Sequence, residues 1–422
     1  MRFPIWNLGS LLLLVSTSLG SGYVSGGSHS YSETPPPTLT TIPADLELPS
    51  PPPLQHYGLW DTLPRPITGP KVEALYQHTL WAAAAYCLPP AVRAWDCGRR
   101  CTKGFQVYHY ADRPDMGLAA YLAYRLTDQR TAEIILSFRG SSDPHTWLYD
   151  LQFASLNYTY DPIRGAKVHG GFYRCFQAIQ PEIHQQLTNL IADLTQNPDR
   201  PVETIQMVVT GHSLGGALAT LASLDIVQRI DELVPTNPNG RNRPNGADIE
   251  IDLTLTTIGG PRVGNRAFAE LVYETVLKYT TTTAVVPAAQ VSNNPPGSGG
   301  DSLLSDYRGQ MAAAPQVVVF LDPTTATGRT LRSFQVNRLT SNNDLIPTLP
   351  PTLLGFYHHP HEYWVTLGLS RHATQVMECP DVKVPNKPTS IRENPLCSKA
   401  QPSPNMGAHM YVWDISFGPW CL

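Results

Sequence analysis

The pentapeptide Gly211-His212-Ser213-Leu214-Gly215 constrains this chain more than any other segment, because of what stands on either side of it. Before it runs Ile205-Gln206-Met207-Val208-Val209-Thr210, an apolar stretch of strand length. After it comes a segment rich in small residues, with Gly216, Ala217 and Ala219, that reads as a helix to about Ile230. A strand turning directly into a helix crowds backbone against backbone, and glycines two residues on either side of a serine relieve the clash. The turn lifts the Ser213 hydroxyl above the sheet as a candidate nucleophile. The bland alternative is an ordinary strand-to-helix turn with a capping serine.

The surrounding pattern supports a sheet with crossovers. Apolar positions at helical spacing cover 70–86 and 172–196, and a further helix is predicted near 264–278. Strand-like runs cover 118–127, 133–139, Leu253 to Ile258, 331–339 and 362–367. Strands alternating with helices predict an α/β architecture. Two stretches have loop composition, 234–248 (Asn, Pro and Gly) and 280–315, and read as surface insertions.

Flanking segments and cysteines speak to compartment. Arg2 precedes the apolar Leu11-Leu12-Leu13-Leu14-Val15 and then small residues, so residues 1–26 read as an export signal. That run is short of the about 20 residues that span a bilayer, and no other stretch is apolar enough, so no transmembrane span is expected in the mature form. Residues 27–56 hold Pro35-Pro36-Pro37 and Pro51-Pro52-Pro53, and read as a pro-segment or linker; residues 57–422 form the globular domain. Seven cysteines suit an oxidising compartment, with up to three bridges. The export signal makes secretion the expectation, and in an exported chain Asn157-Tyr158-Thr159 is a glycosylation acceptor if its loop is exposed. Charged residues are only 15% of the chain and the net charge is −4, which argues against a nucleic-acid partner.

A serine needs a histidine base, and the base needs a carboxylate to orient it. In α/β hydrolases these follow in the order Ser, Asp or Glu, His. Downstream histidines are His358, His359, His361, His372 and His409, and position favours His409. Asp344 lies just past the strand ending near Leu339; Asp301, Asp306 and Asp322 are the alternatives. The cluster His358-His359-Pro360-His361 raises a metal-site reading, but the proline breaks the spacing and no carboxylate-rich partner is evident, so loop packing is expected. For the oxyanion, the Leu214 N–H opens a helix, and Ser141 stands in Phe138-Arg139-Gly140-Ser141-Ser142 at the end of an earlier strand. Neither metal nor organic cofactor is expected, because acyl transfer through serine needs neither.

These blocks resemble the class 3 lipases of filamentous fungi and their feruloyl-esterase relatives over roughly residues 59–422. The resemblance rests on Phe138-Arg139-Gly140-Ser141, Val168-His169-Gly170-Gly171-Phe172, the Ser213 block, Gly260-Pro261-Arg262-Val263-Gly264-Asn265, Asn343-Asp344-Leu345-Ile346-Pro347 with Leu349-Pro350-Pro351, Gly355-Phe356 to His358 with Glu362-Tyr363-Trp364, and His409. It implies an α/β-hydrolase fold, a central mostly parallel sheet flanked by helices. It also implies the triad Ser213, Asp344 and His409, with Ser141 and Leu214 as the oxyanion hole. The implied bridges are Cys87 with Cys421, Cys97 with Cys101 and Cys379 with Cys397, leaving Cys175 free. Ala408 stands where the family usually has Asp before its last histidine. The implied lid follows Ser141, where Trp147, Leu148 and Leu151 share a helical face suited to a lipid–water interface. The function so implied is a monomeric secreted triacylglycerol lipase acting on lipid esters. Alternatives are a feruloyl or other carboxylesterase, a phospholipase A1, a metal-dependent hydrolase using the His358 cluster, or a non-catalytic lipid-binding relative.

Overall fold

A computed structural model describes residues 62–141, 154–161, 165–197, 199–234, 249–279, 330–366, 375–384, 387–401, 403–418 and 421. The export signal, the Pro-rich segment, the lid residues Trp147, Leu148 and Leu151, and nearly all of both insertions lie outside these residues.

Among the described residues, nine strands form one sheet in the order β1-β13-β12-β10-β8-β7-β4-β3-β2. They are β1 (Arg65–Ile67), β2 (Gln106–Arg113), β3 (Leu118–Leu126), β4 (Thr131–Phe138), β7 (Thr204–His212), β8 (Glu250–Ile258), β10 (Leu331–Ser341), β12 (Glu362–Val365) and β13 (Val376–Cys379). The middle of the sheet, β4-β7-β8-β10-β12, is parallel throughout. Only β3 and β13 run against the rest. A smaller sheet joins β5 (Ser155–Asn157), β6 (Lys167–His169), β9 (Gly264–Asn265) and β11 (Phe356–Tyr357). This is the α/β-hydrolase arrangement, with the Ser213 turn at the end of a central strand.

Side-chain alternation divides the core between the two faces of the sheet. Ile134, Leu136 and Phe138 of β4, with Ile205, Met207 and Val209 of β7, share one apolar cluster with Phe176, Ile183 and Leu218. Those last three belong to α3 (Gly170–Thr195) and α4 (Leu214–Gln228); α1 (Pro70–Ala84) and α2 (Pro89–Arg93) precede them in the chain. Ile135 and Val208 point the other way and join Trp81 and Ala84 of α1. The Thr210 hydroxyl bonds the Thr256 carbonyl at 2.8 Å on the α1 side. The helix α4 is buried from Leu214 to Val227, packed between strands β7 and β8 and the helix α3, a crowded setting that suits its run of small residues.

Boundaries moved where local chemistry decided them. The predicted helix at 264–278 begins instead after β9, because Asn265 Oδ1 accepts the Phe268 N–H at 3.0 Å and caps the helix Arg266–Tyr279. The strand predicted over 362–367 stops at Val365. The flanking strands β1, β2 and β13 are found only in the structure; their sequences alternate weakly between apolar and polar residues.

Candidate active site

β7 ends at His212 and α4 begins at Leu214, so Ser213 alone makes the turn. Its backbone sits at φ 59°, ψ −128°. A non-glycine residue held there costs about 1–3 kcal/mol, and it persists only where the surroundings leave no other choice. The surroundings here are two close backbone approaches. A Cβ on Gly211 would strike the Gly215 backbone, and a Cβ on Gly215 would strike the Phe138 carbonyl. The Ser213 N–H is tied to the Ile258 carbonyl at 3.0 Å, which fixes the turn to the end of β8.

Asp344 and His409 arrive on two loops that are laced together. The Asn405 N–H donates to the Asn343 carbonyl at 2.9 Å, and the Leu345 N–H donates to the Asn405 carbonyl at 3.3 Å. Across this seam His409 Nδ1 donates to Asp344 Oδ2 at 2.9 Å, while the other carboxylate oxygen accepts the Ile346 N–H at 2.9 Å. With Nδ1 protonated toward the carboxylate, a neutral His409 presents a lone pair at Nε2. That nitrogen and the Ser213 hydroxyl are both buried, and both lack a hydrogen-bond partner among the described residues. Catalytic hydrogen bonds of this kind are often slack without substrate and tighten in the complex.

Gly259 brings the parts together. It follows Ile258, the acceptor for Ser213, and a Cβ there would lie 2.7 Å from Asp344 Oδ2 and 3.2 Å from His409 Cε1. Its φ of +54° also favours glycine. Nothing in the pattern of residues around Gly259 had marked it, since the requirement comes from loops distant in sequence. On the opposite side, a Cβ at Gly140 would collide with the Tyr86 hydroxyl and lie 3.1 Å from Ser213 Cβ. The Arg139–Ser141 strap therefore lies against the nucleophile. Leu214 opens α4, where a backbone N–H has no intrahelical acceptor. An N–H there and donors on Ser141 suit an oxyanion formed at Ser213.

The other candidates separate from this constellation. Asp301, Asp306, Asp322 and His372 lie outside the described residues. His358 and His359 are buried and bond loop carbonyls, His358 Nε2 to Pro347 at 2.8 Å and His359 Nδ1 to Pro360 at 3.3 Å. Among the described residues, the one cluster of metal-ligating type is Glu362, Cys379 and Cys397, and its two cysteines are bonded to each other. Ala408, in place of the family's Asp, gives its N–H to Asn405 Oδ1 at 2.9 Å, and the Asp344–His409 pair beside it is intact. The bridges Cys87–Cys421, Cys97–Cys101 and Cys379–Cys397 are all present, Cys175 is free, and Asn157 is exposed. An open cleft is lined by Asn343, Asn405 and Ala408, neighbours of the acid and base, but not by Ser213, Asp344 or His409.

The loop carrying Asp344 is clamped from below by Arg262. Its N–H donates to the Leu349 carbonyl at 2.7 Å, and its guanidinium donates to the Pro350 carbonyl at 3.0 Å and to the Thr348 carbonyl. A two-pronged pair with Glu393, 2.6 Å on each arm, holds the guanidinium in place, and both side chains are buried. Burial alone pushes the Glu393 carboxyl up, but the Arg262 hydrogen bonds and charge outweigh it and hold the group well below its ordinary value. That stabilisation is complete above the unfolded carboxylate value of about 4.3 and is lost only as pH falls through the much lower folded value. Replacing Glu393 by Gln leaves a buried guanidinium without its counter-charge. A loss of about 3–5 kcal/mol is expected, read as a lower denaturant midpoint at pH 7.

Comparison with known proteins agrees with this geometry. Residues 135–293 match the family model described as lipase (class 3). The chain is 27% identical to a lipase from Rhizomucor miehei over 306 residues, 72% of this chain and 60% of that protein. It is 31% identical to a Rhizopus niveus lipase over 218 residues, 51% of this chain and 48% of that protein. It is 27% identical to a secreted mono- and diacylglycerol lipase from Fusarium solani over 252 residues, 60% of this chain and 49% of that protein. The chain thus spans about half to three-fifths of the length of these curated relatives. Among solved structures, the Rhizomucor miehei triacylglyceride lipase superposes with a TM-score of 0.56 at 25% identity, covering 85% of this chain and 100% of that one. Lipase II from Rhizopus niveus gives 0.55 at 23% identity, again covering 85% and 100%, a likeness of fold. With the Ser213 turn and the laced Asp344 and His409 loops in place, the chain resembles the class 3 lipases in sequence over residues 135–293 and in fold.

Proposed function

We propose that this chain is a secreted serine carboxylic-ester hydrolase of the triacylglycerol lipase type, with Ser213, Asp344 and His409 as its triad. The observation that carries the reading is the buried His409–Asp344 bond beside a serine held at positive φ. In this reading His409 Nε2 takes the Ser213 proton as Oγ attacks the ester carbonyl. The tetrahedral oxyanion is met by the Leu214 N–H and by Ser141. Collapse breaks the ester C–O bond, and the leaving alcohol takes the proton from His409. Water then attacks the acyl-serine with His409 again as base, releasing the acid and restoring Ser213. Asp344, accepting the Nδ1–H, orients the ring and steadies the imidazolium.

Lipid esters are favoured as substrate by two features. The relatives are lipases, and Ser213 and His409 are wholly shielded from solvent, which suits a site that opens at an interface. Trp147, Leu148 and Leu151 are proposed as the apolar face of a covering lid, on their spacing alone. The test is hydrolysis of emulsified long-chain triglyceride beside a soluble short-chain ester and a feruloyl ester. The expected result is a rate that jumps once triglyceride exceeds its solubility. A linear response through that limit, with faster turnover of the feruloyl or short-chain ester, would reject the lipase reading.

A further inference from the structure

Inside the catalytic fold lies a second histidine that the mechanism above does not use. His212 is wholly buried, and its ring is sandwiched between two others. Phe417 lies parallel on one side at 3.7 Å between centroids and 8° between planes; His409 lies on the other at 4.3 Å and 28°. Both ring nitrogens are occupied. Nε2 contacts the His409 carbonyl at 2.9 Å, and Nδ1 contacts the Tyr86 hydroxyl at 2.8 Å.

The tautomer follows from the partners. A carbonyl only accepts, so Nε2 carries the hydrogen. Burial, with the neighbouring His409 charge adding to it, keeps the ring's pKa well below the usual value, so Nδ1 has no hydrogen and accepts from Tyr86. The Tyr86 oxygen in turn faces the Gly140 backbone, on the strap that carries Ser141. One chain of contacts therefore runs from the oxyanion strap through Tyr86 and His212 to the main chain of the base. The charged or titratable groups facing it are Arg139 beside Tyr86, and His409 with Asp344 behind it.

We infer that Tyr86 and His212 are positioning residues that hold the His409 ring in register with Ser213, linking the base to the oxyanion strap. The inference rests on the hydrolase reading of Ser213. His212 stays neutral while its stacked partner takes a proton, so it neither competes for that proton nor repels the imidazolium. Its hydrogen bond reaches the backbone of His409 rather than the imidazole, so it fixes where the ring is rooted and leaves Nε2 for the serine.

The experiment compares full-length wild type with His212→Phe, His212→Gln, Tyr86→Phe and the double variant His212→Phe/Tyr86→Phe, on a soluble ester. Phe keeps the stacking and removes both hydrogen bonds; Gln restores a donor toward the His409 carbonyl. Expected is a kcat about 10–100-fold lower in His212→Phe with KM within twofold, and a matching slowdown of organophosphonate labelling at Ser213. Gln should recover much of the loss, and the double variant should be no worse than His212→Phe alone. A His212→Phe enzyme with kcat within twofold of wild type overturns the inference, as does a loss that Gln does not relieve or that tracks a fallen melting temperature. If His212→Phe does not fold, Tyr86→Phe, which removes a single oxygen, decides by the same kcat criterion. Wild type that neither turns over ester nor labels at Ser213 speaks against the hydrolase reading instead.

Discussion

Ser213→Ala is expected to lower kcat on any ester by about 10⁴–10⁶-fold while leaving the fold and its stability in place. The size follows from what is removed. Without Oγ no acyl-enzyme forms, and water attacking directly keeps only the help of the Leu214 and Ser141 donors and of binding. Stability should hold because the Ser213 hydroxyl has no hydrogen-bond partner among the described residues, so its loss strands no other group. The backbone strain at φ 59° is retained, since alanine meets the same steric limits there. Steady-state rates with melting curves on both proteins check this. Activity within tenfold of wild type would remove Ser213 from the chemistry.

Acid should unfold this protein early. Four buried histidines, His78, His212, His358 and His359, resist protonation in the folded state. Burial is the main cause in each. Lys71 adds to it at His78, Arg338 at His358 and His359, and both His78 and His359 are pushed down to about 3. The unfolded chain binds protons at these positions from about pH 6.5 downward, and the folded chain does not. Stability is therefore full above about pH 6.5 and falls as pH drops toward 3, since the unfolded state holds more protons throughout that window. Each such residue removes on the order of 1 kcal/mol per pH unit, so the four together reach on the order of 10 kcal/mol by pH 4.5. That is comparable to the whole stability of a typical domain, roughly 5–15 kcal/mol. Urea midpoints from pH 7.5 to 4.5 measure it directly. A midpoint that stays flat across that range would contradict the burial argument; His359→Asn or His78→Asn should flatten the slope by about one proton each.

How far the sequence disclosed this site depends on how local each requirement is. The Ser213 turn was legible because strand, glycines and small-residue helix are contiguous, and the clashes that demand Gly211 and Gly215 involve elements already read as β4, β7 and α4. Asp344 and His409 were reached through chain order and family likeness; by position alone Asp301, Asp306 and Asp322 stood beside Asp344. The structure joins Asp344 to His409 through the seam at Asn405, a contact no periodicity encodes. Tyr86 and Gly259 were missed for the same reason. One is an aromatic next to a cysteine and the other one of two consecutive glycines; both acquire meaning only once loops from distant parts of the chain converge. The parallel centre of the sheet was predictable from apolar runs, whereas the strands toward its edges, β1 and β13 at one end and β2 at the other, are short or do not alternate cleanly.

Those flanks also govern how molecules behave toward one another when crowded. One rim of the large sheet is β1, three residues long, and its middle residue is Pro66, which has no N–H to offer a neighbour. The other rim, β2, is interrupted by a register shift between Val107 and His109 and ends in Asp112 and Arg113. A stray strand meeting either rim finds a ladder that is too short, kinked or charged to continue. Both described rims therefore disfavour edge-to-edge pairing between folded molecules.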